Sequence, residues 1–128
     1  MDETLKLGDH YICDLSNCNR KILMNSEELY SIFSSAVRNS GLTVVQEGHY
    51  QFSPHGFTCF LLLAESHASL HAWPEFGYCA IDLFTCNLGK DLTPLIEQIK
   101  EALGAQTCAI HKLERAAQLV HQRMPNVA

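Results

Sequence analysis

The sequence predicts an α+β fold: a two-layer sandwich whose mainly antiparallel sheet carries helices on one face. Three observations predict it. Two segments repeat apolar residues at helical spacing, and several others alternate or run apolar at strand length. The order along the chain is β, α, several β, α, β. With 128 residues, 47% hydrophobic and 18% charged, the chain is long and apolar enough to bury one core. Residues 1–128 are therefore read as a single domain, without linker, repeat or low-complexity segment.

Residues 10–18 read as a short strand running into a polar turn at 17–20. The clearest helix follows. Asn25 or Ser26 caps it, Glu27 and Glu28 sit in its positive first turn, and Gly41 stops it. Leu29, Ile32, Phe33, Ala36 and Val37 form its one-faced stripe. The period then becomes strand-like over 42–46, 49–53 and 57–64, punctuated by Gly48 and by Pro54-His55-Gly56. Residues 67–72 alternate, with His67, Ser69 and His71 on one face and Ala68, Leu70 and Ala72 on the other. Pro74 and Gly77 interrupt before a strand over 78–85. A second helix starts at Thr93 with Pro94 in its first turn; its stripe is Leu95, Ile96, Ile99 and Leu103, and Gly104 ends it. A last strand covers 106–113, and the tail from Ala116 is read as a frayed helix.

Composition excludes several classes. Asp and Glu number 14 against 9 Lys and Arg, a net charge of −5, and no basic run offers a footprint for nucleic acid. The longest apolar stretch, 57–64, has eight residues, well short of the roughly 20 that span a membrane. The polar start MDETLKLGDH does not look like a signal peptide. A cytoplasmic protein without membrane contact is expected. In that compartment the cysteines at 13, 18, 59, 79, 86 and 108 are expected to stay reduced. Cys13-x4-Cys18 is weak evidence for zinc, and no metal is expected.

Polar residues concentrate in LAESHASLHAWPEFGYCAIDLFTC, residues 63–86. Glu65, Ser66, His67, Ser69, His71, Glu75 and Asp82 intrude among core-forming residues there, and burying such groups is costly unless they are paired. Several readings fit. Ser66 or Ser69 with a histidine is a hydrolase pattern, but the G-x-S-x-G elbow is missing. His67 and His71 share a face and offer two metal ligands, with no third signalled. A sheet strand whose histidines and serines satisfy one another needs no chemistry at all. Residue types alone support only a guess at nucleophile-plus-base chemistry.

The string ESHASLHAWPE, followed by FGYCAIDLFTC, resembles the processing and active-site segment of the S-adenosylmethionine decarboxylases, in their short prokaryotic proenzyme form. The likeness extends to Asp14-Leu15, to Gly41-Leu42-Thr43-Val44-Val45 and to an F-x-P-x-G-x-T run from Phe52 to Thr58, and covers roughly residues 10 to 113. It departs at Ala68, where a larger aliphatic is usual, and at Ala72, where a threonine is usual. After Leu113 only Glu114-Arg115 echoes a common Arg-Gly ending.

The resemblance implies a chain that cuts itself between Glu65 and Ser66, giving fragments 1–65 and 66–128. The Ser66 hydroxyl attacks the Glu65 carbonyl, turning amide into ester. Loss of the Ser66 α-proton then expels the residue-65 carboxylate, and the dehydroalanine left behind hydrolyses to a pyruvoyl group, releasing ammonia. His71 is implied as the base, a task imidazole suits near neutral pH. Thr58 is implied to assist. The pyruvoyl group, the implied covalent cofactor, forms a Schiff base with the substrate amine and acts as electron sink, as pyridoxal phosphate does elsewhere. Cys86 is implied as the proton donor to the resulting carbanion. Phe52 matches an aromatic that stacks on adenine, and Glu75 a carboxylate that holds ribose hydroxyls. The implied substrate is S-adenosylmethionine, decarboxylated to supply aminopropyl groups for spermidine. Relatives acting on ornithine or arginine make those the alternative, and an uncut, non-catalytic binding subunit is a further one. A homodimer is implied, with sites built from two protomers.

Overall fold

The computed structural model describes residues 6–64 and 66–117. Its elements in chain order are β1 (Gly8–Ser16), α1 (Arg20–Met24), α2 (Ser26–Asn39), β2 (Val44–Gln51), β3 (Phe57–Leu63), β4 (Ser66–Trp73), a 3₁₀ turn (Pro74–Phe76), β5 (Tyr78–Thr85), α3 (Thr93–Ala102) and β6 (Thr107–Arg115). The strands form one six-stranded sheet in the order β2-β3-β4-β5-β1-β6, and every neighbouring pair is antiparallel. This is the α+β architecture that the alternation of periods predicts.

Strand period 2 divides the sheet into two faces. Tyr11, Cys13 and Leu15 of β1, Cys59 and Leu61 of β3, Ala68 and Leu70 of β4, and Ile81 and Leu83 of β5 are buried in one core with Leu29, Phe33 and Val37 of α2 and Ile96 and Ile99 of α3. Both predicted helical stripes pack there. The opposite face is open, and it carries His67, Ser69 and His71 as the alternation requires. It also exposes Ile12, Phe60, Leu62, Trp73 and Leu113, each between 36% and 47% accessible.

Local rules explain the helix ends. The Asn25 side chain accepts from the Glu28 N–H at 3.1 Å, which selects Asn25 as the cap of α2. At α3, Pro94 occupies the first turn, and the Asp91 carboxylate accepts from the Thr93 N–H at 3.0 Å. That bond holds the Asp91 carboxyl below its ordinary range.

Three features differ from expectation. The segments 42–46 and 49–53 are one strand, β2. Gly48 lies inside it because a Cβ there would come within 2.4 Å of the Phe60 ring on the paired strand. This glycine makes room for a cross-strand aromatic and breaks nothing. The polar turn at 17–20 leads into a one-turn helix, α1, which Asn19 caps by accepting from the Lys21 and Ile22 N–H groups. Five residues are too few for a periodic stripe to register. The last strand runs two residues further, to Arg115, because β6 pairs with β1 along its whole length. The helix expected from Ala116 onward falls, past residue 117, outside the described residues.

Candidate active site

The dense polar segment is divided by the fold. β4 opens with Ser66 and reaches His71 five residues later. At about 3.3 Å per residue the two lie roughly 16 Å apart on a straight strand. Ser66 is paired across the sheet with Thr85, the last residue of β5, so Cys86 follows at the same end. Ser66 is half-buried and Cys86 exposed. Glu65 lies outside the described residues.

At the other end of β4 the remaining candidates gather around a cavity of about 330 Å³ lined by Phe52, His55, Thr58, His71, Trp73 and Glu75, among others. Thr58 and His71 are direct partners in the β3–β4 ladder, and the Thr58 hydroxyl and His71 Nδ1 share a 3.0 Å hydrogen bond. Phe52 stands half-exposed in the β2–β3 connection, edge-on to Tyr50 with ring centroids 4.8 Å apart. Glu75 enters from the 3₁₀ turn, with Oε1 3.2 Å from His55 Nε2. The fold thus brings together Thr58, His71, Phe52 and Glu75. It sets Ser66 and Cys86 together elsewhere, and one chain does not join the two sets.

The six thiols also divide. Cys13, Cys18, Cys59 and Cys79 are buried, Cys108 is intermediate and Cys86 is exposed. Burial pushes Cys13 and Cys59 up to about 12, and it also raises Cys108. These are packing thiols, protonated at neutral pH. Iodoacetamide should therefore alkylate Cys86 in the folded protein at least about tenfold faster than any other cysteine, as peptide mass mapping would show. Fast labelling spread over several positions would contradict the burial.

Sequence reasoning missed two groups. His55 reads as loop punctuation between Pro54 and Gly56, yet it lines the cavity. On the open face, His10 meets Asp82, which His67 approaches at 3.8 Å from the other side. Their ligand-type atoms lie within 4.8 Å of one another. Arg115 decides what this group is. Its Nη1 lies 3.0 Å from His10 Nδ1, and a guanidinium only donates. His10 Nδ1 therefore carries the lone pair, and Nε2 carries the proton that it donates to Asp82. A metal on Nε2 would require the opposite tautomer, with N–H facing N–H. The group is a hydrogen-bonded chain from Arg115 of β6 through His10 of β1 to Asp82 of β5, with His67 of β4 alongside. The parity of His10 with Ile12 and Asp14 was the signal that could have placed it.

Residues 9–116 match the family model for S-adenosylmethionine decarboxylase. The chain belongs to the S-adenosylmethionine decarboxylase family. It is 37% identical over 111 residues to the S-adenosylmethionine decarboxylase proenzyme of Thermotoga maritima, covering 85% of this chain and 84% of that one. The proenzyme of the same name from Pyrococcus abyssi is 32% identical over 109 residues, covering 85% and 78%. The crystal structure of the adenosylmethionine decarboxylase from Aquifex aeolicus superposes with a TM-score of 0.77 at 32% identity, covering 86% of this chain and 91% of that one. Among the described residues, no helix of this family member is long and apolar enough to cross a membrane.

Proposed function

We propose that this chain is a cytoplasmic, self-cleaving, pyruvoyl-dependent decarboxylase that cuts itself between Glu65 and Ser66 and removes the carboxyl group of S-adenosylmethionine, supplying aminopropyl groups for spermidine synthesis. One observation carries the reading. In a chain of this family, a single cavity combines an exposed aromatic ring, a carboxylate and a hydroxyl-bonded histidine.

The position of Ser66 suits the cut and the group it would leave. Ser66 is the first residue of β4, so the cut would fall at the start of the strand and not within it. The new chain start would sit at a strand end beside an exposed thiol. The pyruvoyl group supplies an electron sink for the bond to the departing carboxylate. The chain's own residues do the rest. Thr58 holds His71 by Nδ1, leaving Nε2 to take the Ser66 α-proton. Phe52 stacks on the adenine ring, and the sulfonium gains from the aromatic faces nearby. Glu75 accepts from the ribose hydroxyls, and Cys86 returns a proton to the substrate carbon.

Such a site needs two chains, because Ser66 and His71 stand roughly 16 Å apart on one strand. In a two-fold homodimer His71 of one protomer would serve Ser66 of the other, at the end of its β4. The exposed Ile12, Phe60, Leu62 and Leu113 give the open face the apolar surface that dimer packing buries.

Substrate choice is tested by CO2 release from S-adenosylmethionine, ornithine and arginine at equal concentration. The adenine and ribose contacts predict S-adenosylmethionine as the preferred substrate by more than about a hundredfold. Faster release from ornithine or arginine would reverse the assignment.

A further inference from the structure

We propose that His55 is a positioning residue of the substrate pocket: it holds the Glu75 carboxylate in the orientation that accepts a vicinal pair of ribose hydroxyls. The inference rests on the reading of Glu75 as the ribose contact. Three observations lead to it.

The first is the clip that carries His55. The β2–β3 connection is closed by the Phe52 N–H donating to the Gly56 carbonyl at 2.8 Å. The Gln51 side-chain amide bridges both ends of the loop, to the Phe52 carbonyl at 3.3 Å and the Gly56 carbonyl at 2.9 Å. Gly56 sits at φ +112°, a conformation side chains resist, so this geometry belongs to glycine. Phe52 and His55 are thus presented from one braced loop.

The second is the state of Glu75. Its side chain is 41% exposed on a single 3₁₀ turn. An exposed Glu samples many rotamers, and a ligand that needs one of them must order it on binding. His55 Nε2, 3.2 Å from Oε1, does that ordering in the free protein. A carboxylate has about four acceptor sites. His55 uses one on Oε1 and fixes the carboxylate plane, leaving Oε2 and the rest of Oε1 for two hydroxyl donors.

The third is what else the cavity offers. Glu75 is the one carboxylate among the residues that line it, and His71 is engaged by Thr58. Among the described residues lining the cavity, the imidazole of His55 is the ionisable group paired with Glu75.

Adenosine and 2′,3′-dideoxyadenosine differ only in the hydroxyls at issue, so their affinities, from NMR shift titrations of the processed protein, isolate the contact. Wild type should prefer adenosine. His55→Ala should shrink that preference roughly 3- to 10-fold, the effect of losing one preordered side chain, while dideoxyadenosine binds within about twofold of wild type. His55→Gln, which keeps an N–H for Glu75, should recover part of it. A His55→Ala protein with the full preference would overturn the role of His55 and leave that of Glu75 standing. Equal weakening of both ligands would also overturn it, making His55 a packing residue. A wild type that binds both ligands equally would remove the Glu75 reading and this inference with it.

Discussion

Ser66→Ala should leave the chain as one species of 14.3 kDa in denaturing mass spectrometry, where wild type gives two fragments of about half that mass. The expected effect is complete, because alanine has no oxygen to attack the Glu65 carbonyl and ester formation has no other donor at that position. Fragment 66–128 of wild type should gain the mass of a carbonyl reagent at a blocked N-terminus, and fragment 1–65 should not. Denaturing conditions matter for a reason visible in the sheet order. A cut before Ser66 would leave β1, β2 and β3 on one fragment and β4, β5 and β6 on the other. The order β2-β3-β4-β5-β1-β6 places β1 between β5 and β6, so three ladders would join the fragments. Native purification should therefore return them together. A wild-type chain that stays whole after long incubation would remove the pyruvoyl reading and leave a family member that retains the fold.

Much of this architecture was legible because the relevant signals are local. The stripes of α2 and α3 announce themselves by spacing, and Asn25 and Pro94 by cap chemistry. The alternation from His67 to Ala72 even assigns its two faces correctly. Gly48 was misread because its meaning is non-local: only the Phe60 ring, paired with it across the ladder, reveals that the glycine is a recess. The site was legible in the same uneven way. Its residue types crowd one segment of the sequence, which suggests one centre, yet an extended strand separates in space what it keeps close in sequence. A helix would have returned His71 toward Ser66 within two turns; β4 carries it to the far end. His55 and Arg115 were invisible for a related reason, since each acquires its partner only when distant strands or turns assemble.

That separation makes the second large effect a restoration. Ser66→Ala and His71→Ala should each abolish cleavage when expressed alone. Co-expressed with different tags, they should cleave again, and only on the His71→Ala chain. In a mixed dimer that chain keeps its Ser66 and meets the intact His71 of its partner, while the Ser66→Ala chain has nothing to cut. Random pairing makes half the dimers mixed, and one of two sites is complete in each, so about a quarter of all chains should be cut. A site contained in one chain predicts no cleavage at all, since every chain then lacks one essential group. Bringing His71 to Ser66 within a protomer would mean folding β4 back on itself, because both residues belong to that strand, and this would break its ladders to β3 and β5. Pairing two chains requires no such change, and it would cover the apolar residues that the open face leaves exposed.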